Sequence, residues 1–126
     1  MKCLMTYQRM WRGSFWACAL AVLVVSLIPP VPQMPSTGWD KSNHMLGFAV
    51  LMLLGRWAYP GRTVFLVCGL LAYGALIEVL QSLTPARFAE WGDLLADGLG
   101  LAGGWALSEM MAWFLARRVA SRSSDE

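Results

Sequence analysis

Charged side chains are scarce in this chain, at 14% of 126 residues where soluble domains usually carry about 25%. Hydrophobic residues account for 57%. A soluble globule has no interior large enough for so many apolar side chains, and a disordered chain could not leave them solvated. The formal net charge of +2 offers nucleic acid no basic surface to bind. The composition therefore predicts a membrane protein.

Motifs for metal binding and nucleophilic catalysis are also lacking. His44 is the single histidine, which excludes zinc spacings such as His-x-x-x-His, and no Ser or Cys lies in an obvious nucleophile motif. Cys18 and Cys68 lie inside apolar stretches, where we expect packing rather than disulfides. No cofactor and no metal motif is predicted, and a divalent cation would have to use clustered carboxylates.

Long apolar stretches are what the sequence does contain. We predict helices over residues 14–28, 44–59, 63–83 and 93–115, with the first two short against the ~17 to 25 residues that a bilayer-crossing helix needs. A proline-rich run at 29–38 cannot continue a helix, and 59–62 reads as a tight turn. No small-residue cleavage site follows the first stretch, so we interpret it as an anchor. The predicted fold class is all-α, a four-transmembrane-helix bundle.

Basic residues are distributed unevenly about these four helices. Eight of the ten lie on one side, namely Lys2, Arg9, Arg12, Arg56, Arg62, Arg117, Arg118 and Arg122. Because cytoplasmic loops accumulate Lys and Arg, we predict that both termini are cytoplasmic and that the protein lies in the bacterial cytoplasmic membrane. The predicted organisation is a cytoplasmic segment over 1–13, a membrane domain over 14–115 and a cytoplasmic tail over 116–126.

Polar residues collect at the opposite, outer ends of the second, third and fourth helices. They are Asp40, Lys41, His44, Glu78, Gln81, Asp93 and Asp97, with Arg87 in the loop that follows the third helix. At about 100° per residue they share one stripe on each helix, so we expect them to face one another. A charged group such as Glu78 is costly when it faces lipid. The pattern predicts a ligand-binding site at the periplasmic face.

Simpler roles are open for several of these residues. Asp40 and Asp93 precede apolar runs and could be helix N-caps, while His44 could be an ordinary interfacial residue. Gln81 could bond an adjacent carbonyl. Glu78 is the hardest to explain in this way, because it lies near the C-terminal end of a helix, where the helix dipole disfavours an anion.

Glycines occupy the same stripes as the polar residues. We assign helix packing to Gly47, Gly55, Gly74, Gly100 and Gly104. The last two form a small-xxx-small pair that allows two backbones to approach closely in lipid. We expect them to draw the helices together below the polar residues. The first helix has few small polar positions, so we expect it to brace the others without joining the site.

Three blocks of residues together carry a family resemblance. They are Asp40-Lys41-x-x-His44 with Phe48, Glu78-x-x-Gln81-x-x-x-Pro85-x-Arg87, and Asp93 with Gly100 and Gly104. In order and spacing these blocks, within residues 40–104, resemble the signature of the VanZ-like family of small bacterial membrane proteins. The family usually has Asn where this chain has Asp97, which adds a charge. The resemblance implies a multi-pass membrane protein, and the founding member is associated with low-level resistance to teicoplanin.

Three functions are open at this point. The first is a binding or accessory protein in which the carboxylates accept bonds from a cell-wall precursor, lipid-linked sugar or lipophilic glycopeptide, while Lys41, His44 and Arg87 meet anionic groups. The second is a membrane enzyme with His44, Glu78 and Asp93 as catalytic candidates, acting on a phosphate-bearing lipid with a divalent cation. The third is a polar cluster that specifies helix packing or a homo-oligomer among membrane lipids. We favour the first.

Overall fold

The computed structural model describes residues 2–28, 39–84 and 90–124 of the chain. Over these residues the protein is all-α, with four helices and no strand. The helices are α1 (Lys2–Leu27), α2 (Trp39–Ala58), α3 (Thr63–Ser82) and α4 (Trp91–Ser124). The predicted fold class is confirmed, whereas the cytoplasmic orientation of the termini stays a prediction. The proline-rich connection at 29–38 lies outside the described residues.

Helix α2 lies at the centre of the bundle and packs against α1, α3 and α4. Its side chains Phe48, Leu51 and Met52 are fully buried, and they form one hydrophobic core with Ile77 of α3 and Leu101 of α4. Helix α3 also contacts α1 and α4. Because its neighbours cover it, α2 can carry polar side chains that a lipid-facing helix could not.

Three of the four helices are long and apolar enough to cross a membrane, over Thr6–Leu27, Thr63–Ser82 and Trp91–Arg122. Within the described residues α2 is as long as α3, at 20 residues, but it is not apolar enough to be among them, although the sequence predicts it as a fourth crossing. The reason is its composition, since it carries Asp40, Lys41 and Arg56 in 20 residues. Helix α2 is held in the fold by packing against α1, α3 and α4 rather than by its own hydropathy.

Helix α1 begins well before the position predicted from the apolar stretch. Most of the segment over 1–13, expected to precede the first helix, is itself helical from residue 2. Trp11 stacks on Trp57 of α2 with ring centroids 5.9 Å apart, and Tyr7 meets Trp11 edge-on at 5.7 Å. The early turns of α1 therefore pack against α2 through aromatic rings, which hydropathy alone does not indicate.

Helix α4 also extends beyond its predicted end, through most of the tail expected over 116–126. Ala and Arg, which favour helix, dominate this extension. The guanidinium of Arg117 lies 3.8 Å from the centroid of the Trp113 ring, one turn back. The predicted solvated tail is helical up to residue 124 for these local reasons.

Two sites show why the helices can pack and turn as they do. At Gly100 and Gly104 of α4, an added Cβ would overlap the backbone carbonyls of Met45 and Ala49 in α2. Only glycine allows the two backbones to approach so closely. Between α2 and α3, Gly61 has a φ of 78°, a conformation that glycine adopts without strain. The tight turn predicted at 59–62 lies where this glycine reverses the chain.

Candidate functional site

A buried group of polar side chains lies where the first turns of α2 and α4 meet the last turns of α3. His44, Glu78 and Asp93 each present one ligand atom, and these atoms all lie within 4.8 Å of one another. The three residues are only 3%, 8% and 6% exposed. Together with Asp97 they are called the polar cluster below. Each of these three helices contributes its polar side chains from the turns near one end. The site therefore lies at one end of the apolar part of the bundle.

His44 is held in a fixed orientation by Asp97, one turn into α4. Its Nδ1 lies 3.0 Å from Oδ1 of Asp97, and both side chains are buried. Because a carboxylate can only accept, Nδ1 carries the proton and the lone pair of the neutral ring lies on Nε2. The Phe48 ring lies nearly parallel to the imidazole, at 6°. An added Cβ at Gly74 would overlap Oδ2 of Asp97, so this glycine gives Asp97 its place against α3.

The carboxylate of Glu78 is only half satisfied by the protein. Its Oε2 accepts the backbone N–H of Glu90 at 3.0 Å. Its Oε1 is buried and has no hydrogen-bond partner among the described residues, and the same holds for Oδ2 of Asp97. Leaving a buried acceptor unsatisfied costs about 1–3 kcal/mol. Two such atoms in one cluster are therefore a feature that stability alone does not explain.

Lys41 and Glu90 lie at the more exposed edge of the polar cluster. The Nζ of Lys41 is 2.6 Å from Oε2 of Glu90 and 4.0 Å from Oδ1 of Asp93. At 40% and 56% exposure, the Lys41 and Glu90 side chains are accessible to water. An added Cβ at Gly92 would overlap the Lys41 side chain, so this glycine lets Lys41 lie across the start of α4. The ammonium group thus already has an acidic partner.

Sequence reasoning missed Glu90. The backbone N–H of this residue donates to Glu78, and its carboxylate accepts from the ammonium of Lys41, so Glu90 connects α2, α3 and the start of α4. The available signal was its position, an acid three residues before the predicted start of the fourth helix at residue 93. Helix α4 begins at Trp91, so Asp93 lies inside its first turn. This boundary does not fit the N-cap role considered for Asp93.

Not every residue expected at the site lies in the polar cluster. Gln81 is 2% exposed, and its Nε2 donates to the carbonyl of Ser26 in α1 at 2.8 Å. It therefore ties the last turns of α3 to the end of α1, which reaches the polar end through its backbone. The side chain of Asp40 and the whole of Arg87 lie outside the described residues.

A second polar group lies at the other end of the bundle. Arg56 of α2 donates to Ser108 of α4 at 3.3 Å, to Thr63 at the start of α3, and to the carboxylate of Glu109. We call these four residues the Arg56 cluster. The sequence pattern assigned no site role to Thr63, Ser108 or Glu109. Each donor group of the guanidinium meets an acceptor, so this cluster fastens three helices together.

The polar cluster differs from the Arg56 cluster because acidic groups predominate in it. Its three carboxylates, those of Glu78, Asp93 and Asp97, surround the imidazole of His44, and the ion pair of Lys41 and Glu90 adds one cation and a fourth carboxylate at the edge. Such a site can accept hydrogen bonds, bind a cation, or present an oriented imidazole as a base. It disfavours an anion, because its acids outnumber its cation and Lys41 already contacts an acid.

In a comparison with known protein families, residues 34–114 match the VanZ/LLP1 family model. The matched region holds α2, α3 and most of α4, and with them the whole polar cluster. Comparison with curated proteins and with solved structures gives no match. The resemblance noted from the sequence is thereby confirmed, and with three membrane-spanning helices it describes a VanZ-type membrane protein. The chain belongs to the VanZ/LLP1 family.

Proposed function

We propose that the polar cluster binds a cell-envelope ligand through hydrogen-bond-donating groups, such as the hydroxyls or amines of a cell-wall precursor, a lipid-linked sugar or a lipophilic glycopeptide. One observation carries the proposal. Oε1 of Glu78 and Oδ2 of Asp97 are buried acceptors with no partner among the described residues. A ligand that donates to both atoms would recover the free energy that their burial costs.

The charges of the cluster determine which part of the ligand it meets. The charge of Lys41 is already offset by Glu90, and the Nδ1–H of His44 is directed at Asp97, so neither residue gives an anionic ligand group an uncompensated positive charge. We therefore revise the expectation that these two residues meet anionic groups. Carboxylates are acceptors only, and they discriminate in favour of donors and against anions.

The location of the site is part of the same proposal. In the topology predicted from the sequence, eight of the ten basic residues lie on the side opposite the polar cluster. By the tendency of basic residues to stay on the cytoplasmic side, the polar cluster would face the periplasm of the bacterial cytoplasmic membrane. A ligand from the outer leaflet or from the periplasm would then reach it past Lys41 and Glu90, and this binding could contribute to glycopeptide resistance.

Ligand titration of the purified protein tests the proposal. Thermal-shift and calorimetric titrations would use teicoplanin and, separately, a lipid-linked cell-wall precursor, in detergent with EDTA present. We expect saturable binding that Glu78→Ala and His44→Ala abolish. Glu109→Ala, at the opposite end of the bundle, is the matched control and should bind as the wild type does. Equal binding by wild type and both site variants, or no binding by the wild type, would refute the proposal.

The role in resistance requires an experiment in cells. A deletion strain would be complemented with the wild type, Glu78→Ala or Glu109→Ala, and its susceptibility to teicoplanin measured. We expect the wild type and Glu109→Ala to restore the parental susceptibility and Glu78→Ala to behave like the deletion. If Glu78→Ala complements fully, ligand binding at the polar cluster has no part in resistance.

One observation favours a second candidate function. The hydrogen bond from Nδ1 of His44 to Asp97 orients the ring as it would for a general base. In that case the protein would be a membrane enzyme with His44 abstracting a proton. Turnover of the bound precursor, lost in His44→Gln and Asp97→Asn, would favour the enzyme over the binding protein. Binding without turnover would favour the binding protein.

A further inference from the structure

His44, Glu78 and Asp93 come from three different helices, yet each offers a ligand atom to one small space. The three atoms lie within 4.8 Å of one another. Atoms that coordinate one metal at about 2.0–2.2 Å are separated by no more than twice that length. Small rotamer changes would bring all three into coordination distance, since each residue already faces the others.

His44 is hydrogen-bonded to a carboxylate, as a metal-binding histidine usually is. A histidine that ligates a metal commonly donates its other ring N–H to a carboxylate, which fixes the tautomer and the ring orientation. Asp97 accepts from Nδ1 at 3.0 Å in this manner. With Nδ1 committed to Asp97, Nε2 is the ring atom through which His44 would coordinate a metal. Asp97 acts here as a positioning residue for His44.

An independent feature of Glu78 points to a ligand in the same place. Glu78 is 8% exposed, and its Oε1 has no hydrogen-bond partner among the described residues. A buried carboxylate retained in this state is destabilising unless a cation or a donor meets it. Asp93 lies within the same group and is 6% exposed. The concentration of acidic groups therefore favours a cation.

We propose that His44, Glu78 and Asp93 bind a divalent transition-metal cation of the Zn²⁺ or Mn²⁺ type. One imidazole with two carboxylates suits these ions better than Mg²⁺ or Ca²⁺, which prefer oxygen ligands alone. Three protein ligands leave a coordination position open to a ligand. The proposal rests on the proposed function in sharing its site, and it extends the ligand class to lipid-linked phosphates, because a bound cation would accept the anion that the carboxylates alone repel.

Metal titration with the ion alone tests the site. Protein stripped with EDTA and freed of chelator would be titrated in detergent with Zn²⁺ and Mn²⁺ by calorimetry. We expect one cation per chain, at least about 100-fold weaker binding in Glu78→Gln and Asp93→Asn, and about 10–100-fold weaker binding in Asp97→Asn. Glu109→Gln is the matched control and should bind as tightly as the wild type. No stoichiometric binding by the wild type, or wild-type affinity in Glu78→Gln, would overturn the site.

A spectroscopic measurement on the wild type tests the site even if the variants fail to fold. With Mn²⁺ bound, electron spin echo modulation should detect the nitrogen of a coordinated imidazole. Because His44 is the only histidine in the chain, that signal has a single source. Binding of Mn²⁺ without a nitrogen signal would place the ion elsewhere and overturn the proposal.

Ligand titrations with and without metal separate this inference from the proposed function. A polyprenyl phosphate should bind the metal-loaded protein at least about tenfold more tightly than the stripped protein, a difference of about 1.4 kcal/mol. If envelope ligands bind in EDTA while no metal binds, the cation site is refuted and the proposed function stands. If the metal binds but no envelope ligand does, the proposed function is refuted and the cation site stands.

Discussion

The two ends of the bundle use polar residues in opposite ways. In the Arg56 cluster one guanidinium donates to Thr63, Ser108 and Glu109, and the pair of Arg56 and Glu109 is 25% and 48% exposed. In the polar cluster the side chains are buried, acids outnumber cations, and two carboxylate oxygens have no partner among the described residues. Both ends join the same three helices.

The contrast suits two different roles. The paired residues of the Arg56 cluster stabilise the fold, whereas the stability of the fold does not require the unpaired acceptors of the polar cluster. The Arg56 cluster shows that this sequence can join α2, α3 and α4 with complementary donors and acceptors. An assembly that only had to hold the helices together could have used the same solution at the other end. Buried acidic residues that are incompletely paired commonly mark functional sites in membrane proteins, and this supports a ligand at the polar cluster.

The largest effect is expected from breaking the helix contact on which the polar cluster depends. In Gly100→Ala the new Cβ would overlap the Met45 carbonyl and separate α4 from α2. Overpacking of this kind costs on the order of 3 kcal/mol, and it would also move Asp97 away from His44. Thermal unfolding in detergent and ligand titration should both report a loss.

The matched control for that change lies in the same helix. Gly98 has nothing within 4 Å of an added Cβ, so Gly98→Ala should keep or slightly raise the stability of the wild type, because alanine favours helix over glycine. If Gly98→Ala and Gly100→Ala are equally destabilised, the close approach of α2 and α4 is not what positions the cluster.

A smaller effect is expected from dismantling the Arg56 cluster. Arg56→Gln should lower the free energy of unfolding by about 1–2 kcal/mol, since charged hydrogen bonds are lost but Glu109 keeps access to solvent. Ligand and metal binding at the far end should be unchanged. Arg62→Gln, at an exposed neighbouring arginine, serves as the control and should leave the melting temperature as it is. Loss of ligand binding in Arg56→Gln would show that the two ends are not independent.

The smallest effect is expected at the edge of the polar cluster. Lys41→Gln removes an ion pair to Glu90 that is largely open to water, so the free energy of unfolding should fall by less than about 1 kcal/mol. High salt screens such a pair, and the melting temperatures of variant and wild type should therefore converge in 1 M NaCl, where the Debye length is about 3 Å. A large loss that persists in high salt would mean that Lys41 belongs to the buried structure.

The positions of the helices, and of the polar side chains along each helix, could be predicted from the sequence more accurately than the contacts between helices. The phases of His44, Glu78 and Asp97 follow from helical geometry, and their depth follows from the limits of the apolar stretches. Gly100 could be assigned to packing for the same reason. Such patterns repeat along one helix and need no knowledge of its neighbours.

Contacts that depend on the relative position of helices could not be read in the same way. Trp11 lies before the predicted start of α1 and stacks on Trp57 of α2. The local sequence around either tryptophan does not indicate that the two rings meet. Glu90 lies outside the apolar stretches, and its two partners come from different helices. The acceptors of Arg56 are likewise distant in sequence, so tertiary packing alone selects them.

We propose that the carboxylate of Glu78 is retained for a ligand and not for stability. Glu78→Gln tests it most directly, because the amide oxygen can still accept the N–H of Glu90 while the buried charge is removed. Thermal unfolding of this variant should be measured without and with ligand. We predict a melting temperature equal to or above that of the wild type without ligand, and loss of the ligand-induced increase. A clearly lower melting temperature together with an intact ligand-induced increase would contradict the claim.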